Sequence, residues 1–310
     1  MSCSDTHGDS SPGIRLAAAS DDLCGECPVW DPARNCLYWT DCVGLKFRRL
    51  DWATSRYDTL RTGVEVYGFR RNQPDGFVVT NTAGVWLWDG RGELVLVADK
   101  VEGARLQLND CTADSAGRLL TGSYFYDPGR EYELGKLVRI DCDGTAAVLD
   151  EGFHLANGIG LSPDERTLYF SDSVARRIYA YDYDVRSGSA RRRKIFVQVA
   201  STEGVPDGLT VDAAGFVWSA QWYRGCVLRY DPEGKLERSI LVPAKQTSAV
   251  AFGGPDLSEL FITTAAKSDP TPAMPPGYDA SSGPFGGPLY RVRPGVRGQE
   301  QRMAKIRVQA

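Results

Sequence analysis

The chain has 310 residues, of which 42% are hydrophobic and 25% are charged, and its formal net charge is −4. These values are typical of a globular protein with enough length for a large core. They argue against nucleic acid and against an anionic membrane as partners, because both require a concentrated positive patch. The single basic run, RRRK at 191–194, follows the turn-like VRSGSA and is interpreted as the solvated edge of a hairpin.

The amino terminus, MSCSDTHGDSSPG, contains no apolar run, so neither a signal peptide nor a transmembrane segment is expected. Residues 1–12 are predicted to be a disordered tail, and residues 13–310 a single domain. We therefore expect a cytoplasmic protein whose eight cysteines are reduced. A monomer or a weak homo-oligomer is expected.

Short predicted strands follow one another from IRLAAAS (14–20) to LYRVRP (289–294). The clearest unit, GLTVDAAGFVWSAQWYRGCVLRYDPEGKLERSILV, contains four strands separated by turns such as DAAG and PEGK. Runs of this length, punctuated by Gly, Asp and Pro, are typical of antiparallel meanders, and no helical period of useful length appears. Six such units open, in chain order, with GECPVWDPARNCLYWTD, VYGFRRNQPDGFVVTN, NDCTADSAGRLLTG, NGIGLSPDERTLYFSD, DGLTVDAAGFVWSA and SAVAFGGPDLSELFITT.

One equivalent position recurs at the start of every unit. Alignment on the shared turn places six residues in this column, 40, 43, 48, 50 and 41 residues apart: Glu26, Val66, Asn109, Asn157, Asp207 and Ser248. That period is typical of a four-stranded propeller blade, and a closed ring of blades points equivalent positions at one axis. The sequence therefore predicts an all-β fold, a six-bladed β-propeller of four-stranded antiparallel blades, with a polar site on its axis.

Both ends of the chain are expected to contribute to the last blade. IRLAAAS has no partner within the first unit, so we predict that this N-terminal strand closes the last blade and removes an exposed edge. The Pro-, Gly- and Ser-rich stretch 267–288 interrupts the same blade. It is either a disordered connection or a lip over the site.

The column residues are suited to a hard cation. Glu26 and Asp207 supply two carboxylates and Asn157 an amide oxygen, a ligand set that suits Ca²⁺, Mg²⁺ or Mn²⁺ better than a structural zinc. So few protein ligands leave positions for water and substrate, as in a catalytic metal site. Asn-Gly and Asp-Gly can also be simple tight turns. Their common register across blades favours the site.

The segments GECPVWDPARNCLYWTD, NGIGLSPDERTLYFSD, VPDGLTVDAAGFVWSAQW and FGGPDLSELFITTA resemble the signature segments of the SMP-30/gluconolactonase/regucalcin family over nearly the whole chain. The resemblance implies a propeller that binds one divalent cation through Glu26, Asn157 and Asp207 and commonly hydrolyses sugar lactones. Ca²⁺ is the first candidate, with Mn²⁺, Mg²⁺ or Zn²⁺ as alternatives. It also implies substrate contact by Asn109, a general-base role for Asp207, and a carboxylate near the substrate at Asp127 of TGSYFYD.

The chain departs from the family pattern at Gln107. Many sugar lactonases of the family carry an arginine there, two residues before the Asn of LND, whereas Arg105 lies a further two residues back. A neutral glutamine in place of this substrate-binding arginine argues against a carboxylated lactone as the substrate, and also against the usual small aldonolactone. Tyr124 and Trp222 are further candidates for substrate contact, although aromatic residues such as Trp222 are also ordinary blade packing.

The other reactive residues are predicted to be structural. Cys24 and Cys27 form a CxxC around Glu26, but they lie within a predicted hairpin, which favours buried thiols over a zinc knuckle. His154 is the only histidine besides His7, which argues strongly against a Ser-His-Asp triad, and a rim or packing role is favoured for His154 over acid-base work.

The sequence thus predicts a metal-dependent lactonase acting on a small molecule. Its cation would polarise the lactone carbonyl, Asp207 would accept a proton, and Asn109 would help to stabilise the oxyanion. Two alternatives stay open: an organophosphate or aryl-ester hydrolase that uses the same site, and a calcium-binding regulatory protein without an open substrate cavity.

Overall fold

The computed structural model describes residues 13–123, 134–266 and 272–308. Within these ranges the fold is all-β, without an α-helix, and therefore without a helix that could span a membrane. Six four-stranded antiparallel sheets account for most strands. The predicted six-bladed propeller is confirmed. The predicted tail at 1–12 lies outside the described residues.

Each blade is a meander whose strands run from the axis outward. Blade 1 consists of β2 (Gly25–Asp31), β3 (Cys36–Asp41), β4 (Lys46–Asp51) and β5 (Tyr57–Thr62), preceded in the chain by β1 (Arg15–Ala18). Blade 2 consists of β6 (Gly68–Arg71), β7 (Phe77–Asn81), β8 (Gly84–Trp88) and β9 (Val95–Ala98), and a small hairpin, β10 (Lys100–Val101) and β11 (Ala104–Arg105), follows it. Blade 3 consists of β12 (Leu108–Ala113), β13 (Leu119–Ser123), β14 (Gly135–Ile140) and β15 (Ala146–Phe153).

The second half of the ring repeats this order. Blade 4 consists of β16 (Ala156–Leu161), β17 (Thr167–Asp172), β18 (Arg177–Asp184) and β19 (Ser189–Gln198). Blade 5 consists of β20 (Val205–Val211), β21 (Val217–Trp222), β22 (Cys226–Tyr230) and β23 (Leu236–Leu241). Blade 6 consists of β24 (Thr247–Gly253), β25 (Glu259–Thr264), β26 (Leu289–Val292) and β1, which pairs antiparallel with β26.

The innermost strands contact one another in a ring, β2 to β6, β12, β16, β20, β24 and back to β2. Apolar clusters fill the wedges between neighbouring blades. Between blades 1 and 2, for example, Phe47 packs edge-to-face against Phe69 and Trp88, with ring centroids 4.9 Å apart in both pairs. This packing holds the starts of the inner strands, and therefore the column residues, close to the axis.

A β-bulge marks the column in five blades. The register of the inner strand shifts between Glu26 and Val29, Leu108 and Cys111, Ala156 and Ile159, Pro206 and Leu209, and Thr247 and Val250. A bulge sets two residues opposite one on the partner strand and re-aims their side chains. Two successive residues at each bulge are therefore freed from the alternation of the strand.

Small residues follow the column where the inner strands approach most closely. A Cβ on Gly158 would lie 2.3 Å from the backbone nitrogen of Leu209, and one on Gly208 would lie 2.5 Å from the Cβ of Ala249. Blades 4, 5 and 6 therefore meet at the axis without intervening side chains. In blades 1 and 3 the equivalent positions hold Cys27 and Asp110 instead.

The C-terminal segment 297–308 closes the far end of the axial channel and contacts every blade. Backbone hydrogen bonds join it to Leu257, Ala213, Arg71, Gly117 and Cys142, and side-chain amides of Gln299 and Gln301 reach Leu161 and Trp30. Ala304 and Ile306 are buried. The channel thus has a floor, so the column is reached from the opposite end.

Candidate metal centre on the propeller axis

The two column carboxylates lie near each other on the axis. Asp207 is 4% exposed, and its Oδ1 has no hydrogen-bond partner among the described residues. Burial, followed by the nearby charge of Asp207, raises the pKa of Glu26 well above its usual range. Burial also raises the pKa of Asp207. Within the described ranges neither carboxylate forms an ion pair with Lys, Arg or His, although charges removed from water are normally paired.

Hydrogen bonds orient the amide of Asn157. Asn109 donates from Nδ2 to the carbonyl oxygen of Ala156 (2.8 Å) and to Oδ1 of Asn157 (3.2 Å). Asn157 then donates from Nδ2 to Oγ of Ser173 (3.1 Å), which donates to the carbonyl oxygen of Pro206 (2.7 Å). Because a backbone carbonyl can only accept, this series of hydrogen bonds fixes which end of the Asn109 and Asn157 amides is the oxygen. It leaves one lone pair of Asn157 Oδ1 for a ligand.

These residues fit a single hard cation. Two carboxylates and one amide oxygen are ligands that Ca²⁺, Mg²⁺ and Mn²⁺ accept, and a buried carboxylate oxygen without a donor is a position that a cation would satisfy. In the described ranges no group of three or more His, Cys, Asp or Glu side chains is placed to hold a metal ion. A cation here would therefore depend on the amide of Asn157 as its third protein ligand.

The predicted substrate residues are placed as follows. Gln107 is half-buried immediately before β12 and forms no hydrogen bond with a described residue, so its amide is available. Arg105 is exposed and pairs with Lys100 in the β10–β11 hairpin, whereas Gln107 lies outside that hairpin. Tyr124 and Asp127 lie outside the described residues.

Trp222 belongs to an aromatic cluster at the channel mouth. It ends β21 opposite Val205, two residues before Asp207, and its buried Nε1 has no hydrogen-bond partner within the described ranges. Its ring meets that of Tyr223 edge-on, with centroids 6.1 Å apart, and Tyr223 meets Tyr278 at 4.8 Å. The part of the 267–288 stretch that the structure describes therefore packs beside the start of β20.

Three residues beside the column were not predicted. Asp110 follows Asn109, and alternation along a strand would send it to the opposite face, but the bulge in β12 frees it from that pattern. The thiol of Cys27 donates to the carbonyl oxygen of Phe69 at 3.4 Å and accepts from Nη1 of Arg70 at 3.1 Å. Repulsion from Asp110 contributes to the raised pKa values of both Glu26 and Asp207, so all three carboxyls share one environment.

The CxxC cysteines point to different neighbours. Cys27 lies beside Arg70, whereas Cys24 lies beside Cys42, with a backbone hydrogen bond of 3.0 Å between them. The seven described cysteines are free thiols. His154 is held at the rim, with Nδ1 3.3 Å from Oδ2 of Asp172 and 42% of its side chain exposed.

Residues 24–266 match the protein family described as the SMP-30/Gluconolactonase/LRE-like region. The chain belongs to this family. The resemblance carried by the repeated segments is therefore confirmed.

The relatives of this family member include named lactonases. It is 35% identical to pentonolactonase XacC from Haloferax volcanii over 294 residues, which cover 92% of this chain and 95% of the relative. It is 32% identical to a 6-deoxy-6-sulfogluconolactonase from Pseudomonas putida over 257 residues, which cover 82% of this chain and 88% of the relative.

Solved structures of the same fold carry other names. A luciferin-regenerating enzyme superposes with a TM-score of 0.83 at 25% identity, covering 95% of this chain and all of that chain. A regucalcin from Agrobacterium tumefaciens, described as a calcium-binding protein, superposes with a TM-score of 0.80 at 26% identity and covers 96% of this chain and 98% of that one.

Proposed function

We propose that this family member hydrolyses the lactone ring of a sugar acid, using one divalent cation held by Glu26, Asn157 and Asp207. The observation that carries the proposal is the pair of axial carboxylates, half-buried Glu26 and buried Asp207, with Oδ1 of Asp207 left unpaired by the described residues. The names of the lactonase relatives support the reaction class.

Ca²⁺ is the first candidate for the cation, with Mn²⁺, Mg²⁺ or Zn²⁺ as alternatives. When bound, such a cation supplies Lewis-acid polarisation of the lactone carbonyl and lowers the pKa of water. The solved regucalcin structure is described as that of a calcium-binding protein, and this supports Ca²⁺ as the cation.

Asp207 is proposed as the general base. One of its carboxylate oxygens would hold the cation and the other would accept a proton from the attacking water, a contribution typically worth about 10²–10⁴-fold in rate. Asn109 acts differently from the oxyanion donor that the sequence suggests, because both of its amide hydrogens are engaged by Ala156 and Asn157. We assign to it the orientation of Asn157, with its Oδ1 as an acceptor for a substrate hydroxyl.

The substrate is proposed to be a neutral, hydroxyl-bearing lactone. Gln107 offers an amide and Trp222 an indole N–H, and both can hydrogen-bond hydroxyl groups but carry no positive charge that would favour a carboxylate. Asp127 keeps its proposed role in substrate contact on the strength of the family resemblance alone, and Tyr124, three residues before it, is kept as a candidate for substrate contact.

A pH-indicator assay with a panel of lactones, aryl esters and organophosphates tests the proposal. Chelated protein should be inactive, and added Ca²⁺ or Mn²⁺ should restore hydrolysis of neutral sugar lactones above that of the esters. Glu26→Gln should lose this response, whereas Glu151→Gln, the same charge change at an exposed position of blade 3, should not. Preference for a phosphotriester or aryl ester would replace the lactonase assignment, and cation binding without turnover of any substrate would favour a calcium-binding protein.

A further inference from the structure

A second layer of residues, which we call the mouth layer, stands between the column and the mouth of the channel. It contains the residues two positions before each column residue, which alternation along an extended chain places on the same side. In blade 1 this relation brings Cys24 Sγ to 4.0 Å from Glu26 Oε1. The mouth layer comprises, in chain order, Cys24, Val64, Gln107, Leu155, Val205 and Gln246.

Gln107 and Gln246 are the two amides of the mouth layer. They belong to blades 3 and 6, which stand opposite each other in the ring of six inner strands. Gln246 takes the place in blade 6 that Val205 takes in blade 5, since each lies two residues before its column residue. The mouth layer therefore presents an amide on two opposite sides of the channel.

One end of the Gln246 amide is engaged and the other is not. Gln246 is 1% exposed, and its Nε2 donates to the hydroxyl oxygen of Tyr278. Its Oε1 has no hydrogen-bond partner among the described residues. A buried amide oxygen without a donor costs free energy, so such an atom calls for a ligand or another partner.

The residue that holds Gln246 belongs to the segment 272–288, which we call the strap. Lys245 attaches the strap to blade 6, donating from Nζ to the carbonyl oxygen of Asp279 (3.0 Å). Arg176 attaches it to blade 4, donating from Nη2 to the carbonyl oxygen of Ala273. The strap therefore runs along the mouth from blade 6 to blade 4.

The strap connects Gln246 to Trp222 through an aromatic cluster. Tyr278 meets the ring of Tyr223 with centroids 4.8 Å apart, and Tyr223 meets Trp222 at 6.1 Å. Tyr223 has a φ of +73°, an uncommon conformation for a residue other than glycine, directly after Trp222. This side of the mouth thus holds an unpaired donor, Nε1 of Trp222, and an unpaired acceptor, Oε1 of Gln246. Substrate hydroxyl groups, which both donate and accept, match such a pair.

We propose that Gln246 is a substrate-binding residue whose Oε1 accepts a hydrogen bond from a hydroxyl of the lactone, across the channel from Gln107. Tyr278 is a positioning residue that holds the Gln246 amide by its Nε2. This inference rests on the proposed function and narrows the substrate class to lactones that carry hydroxyl groups at two separate positions. A buried site of this kind disfavours an analogue that lacks the hydroxyl, because its own polar group is then left unpaired.

Steady-state kinetics with mono-deoxy analogues tests the inference. The parent compound is the neutral sugar lactone with the highest kcat/KM in the pH-indicator assay. For the wild-type protein, kcat/KM should fall by about 2–12-fold for the analogue that lacks the hydroxyl bound by Gln246, since one hydrogen bond is lost. Gln246→Met keeps the length of the side chain without its amide, so it should no longer discriminate between the parent and that analogue. Gln107→Met should lose discrimination at a different hydroxyl.

Tyr278→Phe separates substrate recognition from support of the strap. It breaks the same hydrogen bond as Gln246→Met but leaves the amide in place, so it should raise KM and still discriminate against the deoxy analogue. Both variants should bind Ca²⁺ with the wild-type Kd in calorimetric titration. Gln198→Met, at an exposed position of blade 4, should have wild-type kinetics.

Two results would overturn the inference alone. One is wild-type discrimination by Gln246→Met, and the other is identical behaviour of Gln246→Met and Tyr278→Phe in every measurement, since Gln246 would then only support the strap. If Gln246→Met does not fold, Gln246→Asn, which withdraws the amide by one methylene, should show the same loss of discrimination. A wild-type protein that hydrolyses no lactone would overturn the proposed function as well.

Discussion

Asp207 and Asp212 lie in the same blade and are both buried, yet the structure predicts opposite effects of one substitution at the two positions. Oδ2 of Asp212 accepts hydrogen bonds from Nη2 of Arg229 (2.6 Å) and from Nε1 of Trp218 (3.0 Å), so its charge is well compensated. Oδ1 of Asp207 is left unpaired by the described residues, and the carboxylate shares the axis with Glu26. We therefore expect Asp207→Asn to stabilise the cation-free protein and Asp212→Asn to destabilise it.

The expected sizes follow from the charges and the chain length. Two like charges about 4–6 Å apart, the spacing of two ligands of one cation, repel by roughly 3–4 kcal/mol at an effective dielectric constant near 20. For 310 residues the entropy of unfolding is about 0.65 kcal/mol/K, so Asp207→Asn should raise the Tm by about 5–6 °C. Asp212→Asn removes the buried partner of Arg229 and leaves only the partly exposed Glu237, 3.1 Å away, as its counter-charge. Breaking a buried pair costs about 3–5 kcal/mol, so the Tm should fall by up to about 5–8 °C.

Scanning calorimetry in EDTA and in CaCl₂ measures both effects. A cation at about 100 times its Kd should stabilise the wild-type protein by about 2.7 kcal/mol, or about 4 °C. Asp207→Asn should lose that increase, whereas Asp212→Asn should retain it from its lower starting point. If Asp207→Asn lowered the Tm in EDTA as Asp212→Asn does, Asp207 would be a structural residue and the charge argument would be refuted.

Four further outcomes are expected. Gln107→Arg should raise kcat/KM for carboxylated lactones relative to neutral ones by about tenfold, through a charge-assisted contact, without changing the Ca²⁺ Kd; an unchanged substrate profile would place Gln107 outside the pocket. Trp222→Phe should raise KM about 2–12-fold with little change in kcat, since it removes one hydrogen-bond donor; unaltered steady-state kinetics would mean that Nε1 contacts no substrate. Ser173→Ala should weaken Ca²⁺ binding in calorimetric titration by about 10-fold or more, because Asn157 loses the group that orients it; a wild-type Kd would show that Asn157 needs no such support. Ile306→Ala should cost about 2–4 kcal/mol in denaturant unfolding while the Ca²⁺ Kd stays the same, and a changed Kd would mean that the C-terminal segment reaches the site.

The blades and the column were predictable because short sequence segments encode both of them. Each turn carries its own Gly, Asp or Pro signal, and repetition of the unit shows that Glu26, Asn157 and Asp207 occupy equivalent positions. Symmetry then brings residues about 50 and 180 positions apart to one axis, which a single motif could not indicate.

The residues around the column depend on features that strand alternation hides. Asp110 is removed from its expected face by the bulge in β12, and Ser173 reaches Asn157 and Pro206 only because blades 4 and 5 meet at the axis. Arg70 appears in the sequence as an ordinary charged residue of FRRN, and only the closed ring places it beside Cys27. These relations are tertiary, so the pattern of a single unit does not contain them.

Sequence patterns also could not predict where the C-terminal segment lies. RGQEQRMAKIRV (297–308) has no alternation of apolar residues, because its backbone is held by loops of all six blades instead of by one sheet. Its buried Ala304 and Ile306 are anchors recognisable only from the completed fold.

The central claim is that one axial divalent cation is required for lactone hydrolysis. Its most direct test is to titrate Ca²⁺ into exhaustively chelated protein while measuring both lactone turnover and bound cation per chain by elemental analysis. The account predicts no turnover without the cation, and a rise that saturates at one bound ion per chain in the wild type and does not occur in Asp207→Asn. Full turnover by the cation-free protein would contradict it.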